Sequence, residues 1–211
     1  MTDSQFTDAP KWPSTRKAAG KDVIIIVRHG KPALSRKVRL NWREYREWWK
    51  RYDLSGLADG QTVPKKLAAV MANADRVYSS DLIRAVETAT MAAGRAPDVV
   101  DKMFREAALP SPWLGSLKLR PKSWGTLSRI VWFYGLVNSE ERVTAARARA
   151  KRAATLLSDE AAAERLVVLF AHGWFNRMVG TQLRRQGWKI TKNQGDLHWK
   201  YRRYERTTGG Q

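Results

Sequence analysis

The sequence predicts an α/β fold in which helices layer against a mostly parallel sheet. Three observations carry that reading. Residues 23–27 (VIIIV) and 166–171 (LVVLFA) are continuously apolar, the pattern of strands covered on both faces. Between them lie segments with helical periodicity and start and stop signals, so strands and helices alternate along the chain. Both apolar runs also end alike, in VRHG at 27–30 and FAHG at 170–173, as expected of neighbouring strands that deliver side chains to a common edge.

Taken in order, residues 1–20 are polar and without period, with Pro10, Pro13 and Gly20, and are expected to form a flexible tail before a single domain over 21–211. Residues 36–52 read as a helix. Val38, Trp42, Tyr45, Trp49 and Tyr52 step by 4, 3, 4 and 3 into an apolar stripe, and Arg39, Arg43, Arg46 and Lys50 repeat the steps one residue later as a basic stripe. DLSGLADGQ at 53–61 is a loop, and a helix over 64–72 carries Pro64 in its first turn. Residues 75–80 (DRVYSS) form a short strand. The helix over 81–93 is expected to be capped by Ser80 or Asp81 and ended by Gly94. Residues 99–107 are extended. Residues 109–138, rich in Pro, Gly and Trp, lack a clean period and read as an insertion. Asn138 and Glu141 are spaced as a capping box for a long helix over 139–157. Residues 172–186 turn into a helix stopped by Gly187, and 196–205 alternate like a half-exposed final strand.

With 211 residues the chain can bury one proper core. It has no cysteine, which excludes a disulfide framework and Cys-ligated zinc or iron–sulfur sites. The N-terminus lacks the apolar core of a signal peptide, and no apolar run is long enough to span a bilayer. A cytoplasmic location, peripheral to a membrane at most, is expected. Lys and Arg number 39 against 20 Asp and Glu, a formal charge of +19, which favours anionic partners.

The two strand ends bring His29 and His172 together, each followed by a glycine that lets backbone approach a ligand. Arg28 precedes His29, and the helix after YSS carries Arg84. Two arginines and two histidines around one point call for a counter-anion, and a phosphoryl group matches the planar donor set of arginine. A neutral imidazole in such a place can attack phosphorus and store the group as phosphohistidine. RHG alone is a weak signal; the ordered set of strand–RHG, SSDLIRAVETA, FREA and strand–AHG is a stronger one.

That set resembles the histidine phosphatase superfamily over about residues 23–204. The resemblance implies a phosphoglycerate-mutase-like fold: a three-layer α/β/α sandwich around a mostly parallel sheet, with the insertion at about 109–138 as a cap over the site. It implies His29 as the phosphorylated nucleophile, Arg28, Arg84 and His172 as phosphate ligands, and Glu106 in FREAAL as proton donor. Gly30, Lys31, Ser35 and Gly173 are further candidate substrate contacts. Lys31, Pro32 and Ser35 depart from the residues usual after RHG, so the substrate of a particular relative does not carry over. No metal and no cofactor are expected, and His198, in the final strand, reads as a packing or surface residue.

The expected activity is hydrolysis of a phosphorylated small molecule, with amphiphilic phosphates among the candidates, as a metal-independent phosphomonoesterase. A phosphomutase would use the same residues, and a non-enzymatic anion- or nucleic-acid-binding module would use the charge alone; no nucleic-acid-binding signature is present. In the insertion, Trp113, Trp124 and Trp132 lie among Lys118, Arg120, Lys122 and Arg129. Two readings stand for it: a surface that meets an anionic membrane, or aromatics that pack a cap onto the core. Oligomeric state is left open.

Overall fold

The computed structural model describes residues 21–163 and 166–207; the tail expected at 1–20 lies outside them. Six strands form one sheet. They are β1 (Lys21–Arg28), β2 (Arg76–Ser80), β3 (Val99–Asp101), β4 (Leu166–Ala171), β5 (Lys189–Asn193) and β6 (Tyr201–Thr207), in spatial order β3-β2-β4-β1-β6-β5. β1, β4, β2 and β3 run parallel, and β6 is antiparallel to both of its neighbours.

Successive residues of a strand face opposite sides, and here both sides are covered. Ile24, Ile26, Val167 and Leu169 pack on α5 (Val143–Ala162) and α6 (Gly173–Arg185). Ile25, Val27, Val168 and Phe170 pack with Leu67 of α2 (Lys65–Met71) and Ala89 of α3 (Ile83–Ala93). This two-sided burial is why β1 and β4 are continuous apolar runs, and it makes the fold a three-layer α/β/α sandwich. Buried alanines of α5, including Ala150, Ala153 and Ala154, line its sheet-facing side.

The remaining helices, α1 (Trp42–Asp53) and α4 (Pro121–Phe133), pack on each other through a separate cluster of Tyr45, Trp48, Tyr52 and Trp124. The Trp124 indole stacks on Tyr45 at 5.3 Å, and its Nε1–H donates to the Leu40 carbonyl at 2.7 Å. The insertion therefore contains one helix of 13 residues, α4. Its buried face consists of Pro121, Trp124, Gly125, Ser128 and Trp132. That is a helical spacing, but Gly125 and Ser128 hide it from a hydropathy pattern.

Other local expectations shift. Asn41 caps α1 in a capping box with Glu44, so Val38 and Arg39 precede the helix, and the buried stripe is Tyr45, Trp48 and Tyr52, with Trp42 and Trp49 half-buried. Pro64 is the N-cap of α2 rather than a first-turn residue. Leu82, without a side-chain cap, stands at the N-cap of α3 in place of Ser80 or Asp81, while Gly94 ends that helix in the left-handed conformation as expected. Asn138 and Glu141 do not cap α5, which begins at Val143 behind Arg142. The Glu141 carboxylate instead takes both Nε and Nη2 of Arg149, at 2.8 and 2.7 Å. β5 is exposed along its whole length and carries no apolar pattern, so sequence periodicity does not reveal it. The final strand starts at Tyr201, which leaves residues 196–200 in the loop before it.

Candidate active site

The sheet sets up the site at the carboxyl ends of its two central strands. Arg28 lies opposite Ala171 in the β1–β4 register, and the His29 N–H donates to the Ala171 carbonyl at 3.1 Å. The ladder therefore runs one residue past β1 and sets the His29 and His172 rings 5.1 Å apart, both almost fully buried. The buried amide of Asn176 donates to the Val27 carbonyl at 3.0 Å and ties α6 to this edge.

His29 Nδ1 lies 2.7 Å from the Gly30 carbonyl. A carbonyl only accepts, so Nδ1 carries the proton and Nε2 carries the lone pair. Burial, with His172, Arg84 and Arg28 nearby, holds the His29 imidazole well below the usual histidine range, so the ring is neutral. His172 is held down in the same way, by burial first and then by Arg84 and Arg28. Its Nε2 meets Ser80 Oγ at 2.9 Å. Ser80 Oγ already accepts from the Leu82 N–H, so its own proton can go to His172 Nε2, leaving Nδ1 as the N–H.

Arg28 donates through Nη1 to the Asp196 carbonyl at 2.6 Å, and burial lowers its pKa. Its guanidinium lies against Gly173, where a Cβ would sit 3.3 Å from Cζ. Arg84 is almost fully buried at the start of α3. Nη1 donates to the Tyr52 carbonyl at 2.8 Å and Nη2 to Asp53 Oδ1 at 3.0 Å, with Cζ 4.6 Å from the centre of the Tyr52 ring. The end-on edge of the guanidinium is thus taken, and Nε has no partner. An anion would meet the other edge, Nε with the second Nη2 proton. Asp53 is pushed up by burial and drawn back by Arg84.

Glu106 sits at the amino end of α6. Oε1 accepts the Phe175 N–H at 2.8 Å and Oε2 the Trp174 N–H at 3.1 Å. Neighbouring Arg105 pairs with Asp81 through two bonds of 2.6 and 2.7 Å, which fixes this segment beside the β2–α3 loop. Gly30 is required by close approach: a Cβ there would lie 2.8 Å from the Trp199 indole. The Gly30 N–H donates to Thr88 Oγ1 at 2.8 Å, so α3 holds the loop after β1. Lys31 and Ser35 are exposed, and Ser35 Oγ accepts the Lys37 N–H in a local turn.

Three residues at the site escape the sequence patterns. The His198 ring lies 5.5 Å from that of His29. Arg36, before α1, and Arg129, from α4, both bring positive charge to bear on Arg28. Among the described residues, the buried nitrogens without a hydrogen-bond partner include Arg28 Nε, Arg36 Nε, Arg84 Nε, Arg129 Nε, His172 Nδ1 and His198 Nε2. Unsatisfied buried donors are costly and rare. Those of Arg28, Arg84, His172 and His198 gather near the neutral His29, which suits a ligand with several acceptor oxygens and negative charge.

The sequence profile of the histidine phosphatase superfamily (branch 1) matches residues 24–196. The chain belongs to that superfamily. Comparison with curated proteins gives no match. Among solved structures, the open reading frame Rv3214 of Mycobacterium tuberculosis is similar with a TM-score of 0.51 and 22% identity, over 76% of this chain and 78% of that one. The mycobacterial glucosyl-3-phosphoglycerate phosphatase Rv2419c, in complex with VO3, gives 0.51 and 23% over 78% and 82%. A phosphoserine phosphatase mutant (H9A) from Entamoeba histolytica, in complex with phosphoserine, gives 0.50 and 16% over 89% and 95%. At these identities the structures establish a shared fold. Superfamily membership supports activity of the phosphatase or phosphomutase type.

Proposed function

We propose that the protein is a phosphomonoesterase that works through a phosphohistidine on His29. The observation that carries this reading is the His29 imidazole: buried, neutral and bonded through Nδ1–H, with Nε2 as the free lone pair among arginines. In the first step His29 Nε2 attacks phosphorus in line and the bond to the leaving alkoxide breaks. Arg28, Arg84 and His172 Nδ1–H hold the equatorial oxygens and stabilise their charge. Glu106, placed next to Arg28, gives the alkoxide its proton; in the second step it takes a proton from the water that releases phosphate. No metal enters this scheme. The substrate class is a phosphorylated small molecule, and the charges of Arg36 before α1 and Arg129 on α4, which act on Arg28, favour one that carries further negative charge.

The test is a panel of phosphate esters with the purified protein and a His29→Ala control. Phosphate release by the wild type, absent from the variant, is expected. Phosphoryl transfer back to substrate in excess of release to water would make the protein a phosphomutase. Peripheral contact with an anionic membrane is a second proposal. It is supported by exposed Ile130, Phe133, Tyr134 and Leu136 at the end of α4, with Arg147 over the Phe133 ring at 5.3 Å. The tryptophans of this region do not support it equally: Trp124 and Trp132 are buried, and only Trp113 is exposed.

A further inference from the structure

We infer that His198 is a substrate-contacting residue of this site, donating a hydrogen bond through its imidazole to the phosphoryl group held at His29. The inference rests on the phosphatase reading above and adds to the pocket a group that superfamily membership does not assign. Three observations support it. The ring stands 5.5 Å from the His29 ring, about as close as His172 at 5.1 Å. Its Nε2 is buried and has no partner, as are Arg28 Nε, Arg84 Nε and His172 Nδ1 around the same nucleophile.

The loop that carries it is held from several directions. The Asp196 carbonyl receives Arg28 Nη1, and the Asp196 carboxylate pairs with Arg177 and Arg202. On the other flank Trp199 adopts φ 63°, the left-handed conformation that non-glycine residues rarely take. Its N–H donates to the Arg28 carbonyl at 3.1 Å, and its Nε1–H to Gln61 Oε1 at 2.8 Å. With the indole against Gly30, the chain is pinned on both sides of His198. A loop anchored to fill space would not need to leave an imidazole nitrogen unsatisfied beside the nucleophile.

The ring is neutral. Burial, with Arg28, Arg36 and Lys31 nearby, lowers its pKa to about 4. A neutral histidine can stand among those cations where another arginine would repel them, and it can still donate an N–H to a phosphoryl oxygen.

Inorganic phosphate is the probe, its affinity measured by calorimetry at pH 7 for the wild type, His198→Ala, His198→Gln and His198→Asn. Glutamine places an amide nitrogen near the position of Nε2; asparagine reaches only as far as Nδ1. The contact predicts a loss of about tenfold in affinity for alanine and asparagine, about 1.4 kcal/mol, with glutamine within about threefold of wild type. Thermal melts of all four proteins accompany the titrations. A loss confined to alanine and asparagine supports the contact. Wild-type affinity in the alanine variant overturns it, and so does equal loss in alanine and glutamine, which would mean that the ring only shapes the loop. The reading of the enzyme fails separately: a His29→Ala protein that still hydrolyses phosphate esters removes the phosphatase mechanism and leaves the His198 contact with phosphate standing. A wild type that binds no phosphate overturns both.

Discussion

At the scale of single residues, the site is governed by neutral histidines and divided arginines. Arg84 holds Tyr52 and Asp53 with one edge, and its Nε, on the other edge, has no partner; the proposed mechanism gives that edge to the phosphoryl group. Lysine at this position keeps the charge and loses both edges. Arg84→Lys is expected to lower kcat/KM at least about tenfold, or about 1.4 kcal/mol of transition-state stabilisation; steady-state kinetics at wild-type values would place Arg84 outside the chemistry. The histidines also make a pH prediction. His29 and His172 resist protonation when folded and titrate near 6.5 when unfolded, so below that pH the unfolded chain binds more protons. Stability is therefore fully present above about pH 6.5 and declines as pH falls, by at most about 1.4 kcal/mol per pH unit for each of them, and His198, lowered to about 4, adds a like slope between about pH 6.5 and that value. Urea unfolding at pH 7 and pH 5 measures the slope, and His29→Ala should reduce it by one proton. For the same reason, kcat/KM, corrected for substrate ionisation, should show no loss of His29 near pH 6.5.

At the scale of elements, α1 and α4 share a core of their own. Trp124 is fully buried between α1 and α4, and Trp124→Ala is expected to cost about 3–5 kcal/mol. Because the cluster is separate from the two that flank the sheet, the loss should appear first as faster hydrogen exchange in α1 and α4, with β1 and β4 still protected. Uniform loss of protection would mean that cap and sheet unfold as one. This division also explains what could be read from sequence. β1, β4 and the residues at their ends were legible because two-sided burial demands an unbroken apolar run, and because Arg28, His29 and His172 follow it directly. α4 was not, since its buried face includes Gly125 and Ser128. β5 was not, since an exposed edge needs no apolar side chain. The alternation after residue 196 continues into β6 and suggests a strand through His198, but the left-handed Trp199 delays the strand to Tyr201 and leaves His198 in the loop before it. Arg36 comes from the segment before α1 and Arg129 from α4, and only tertiary packing brings them toward Arg28.

At the scale of the whole molecule, the chain carries a formal charge of +19, and the substrate class proposed for its site is anionic. Such a field raises the encounter rate with charged substrates and is screened by salt. kcat/KM is expected to fall several-fold as the Debye length shortens from about 30 Å to about 8 Å, with kcat little changed. A flat salt profile would confine the electrostatics to the pocket. No helix among the described residues is long and apolar enough to cross a membrane. Surface contact is a different matter. Co-sedimentation with anionic but not neutral vesicles, weakened by salt and by replacing Phe133 and Tyr134 together, is the expected outcome of the membrane proposal. A protein that stays in the supernatant with acidic vesicles at low salt would leave α4 as a lid alone.

The most direct measurement is a rapid quench during turnover of an active phosphate ester, followed by mass analysis under alkaline conditions that preserve phosphohistidine. The mechanism predicts one phosphoryl group on His29, lost on acid treatment, with neither phosphoenzyme nor turnover in His29→Ala. Full activity in that variant, or a phosphoryl group carried on another residue, would contradict it.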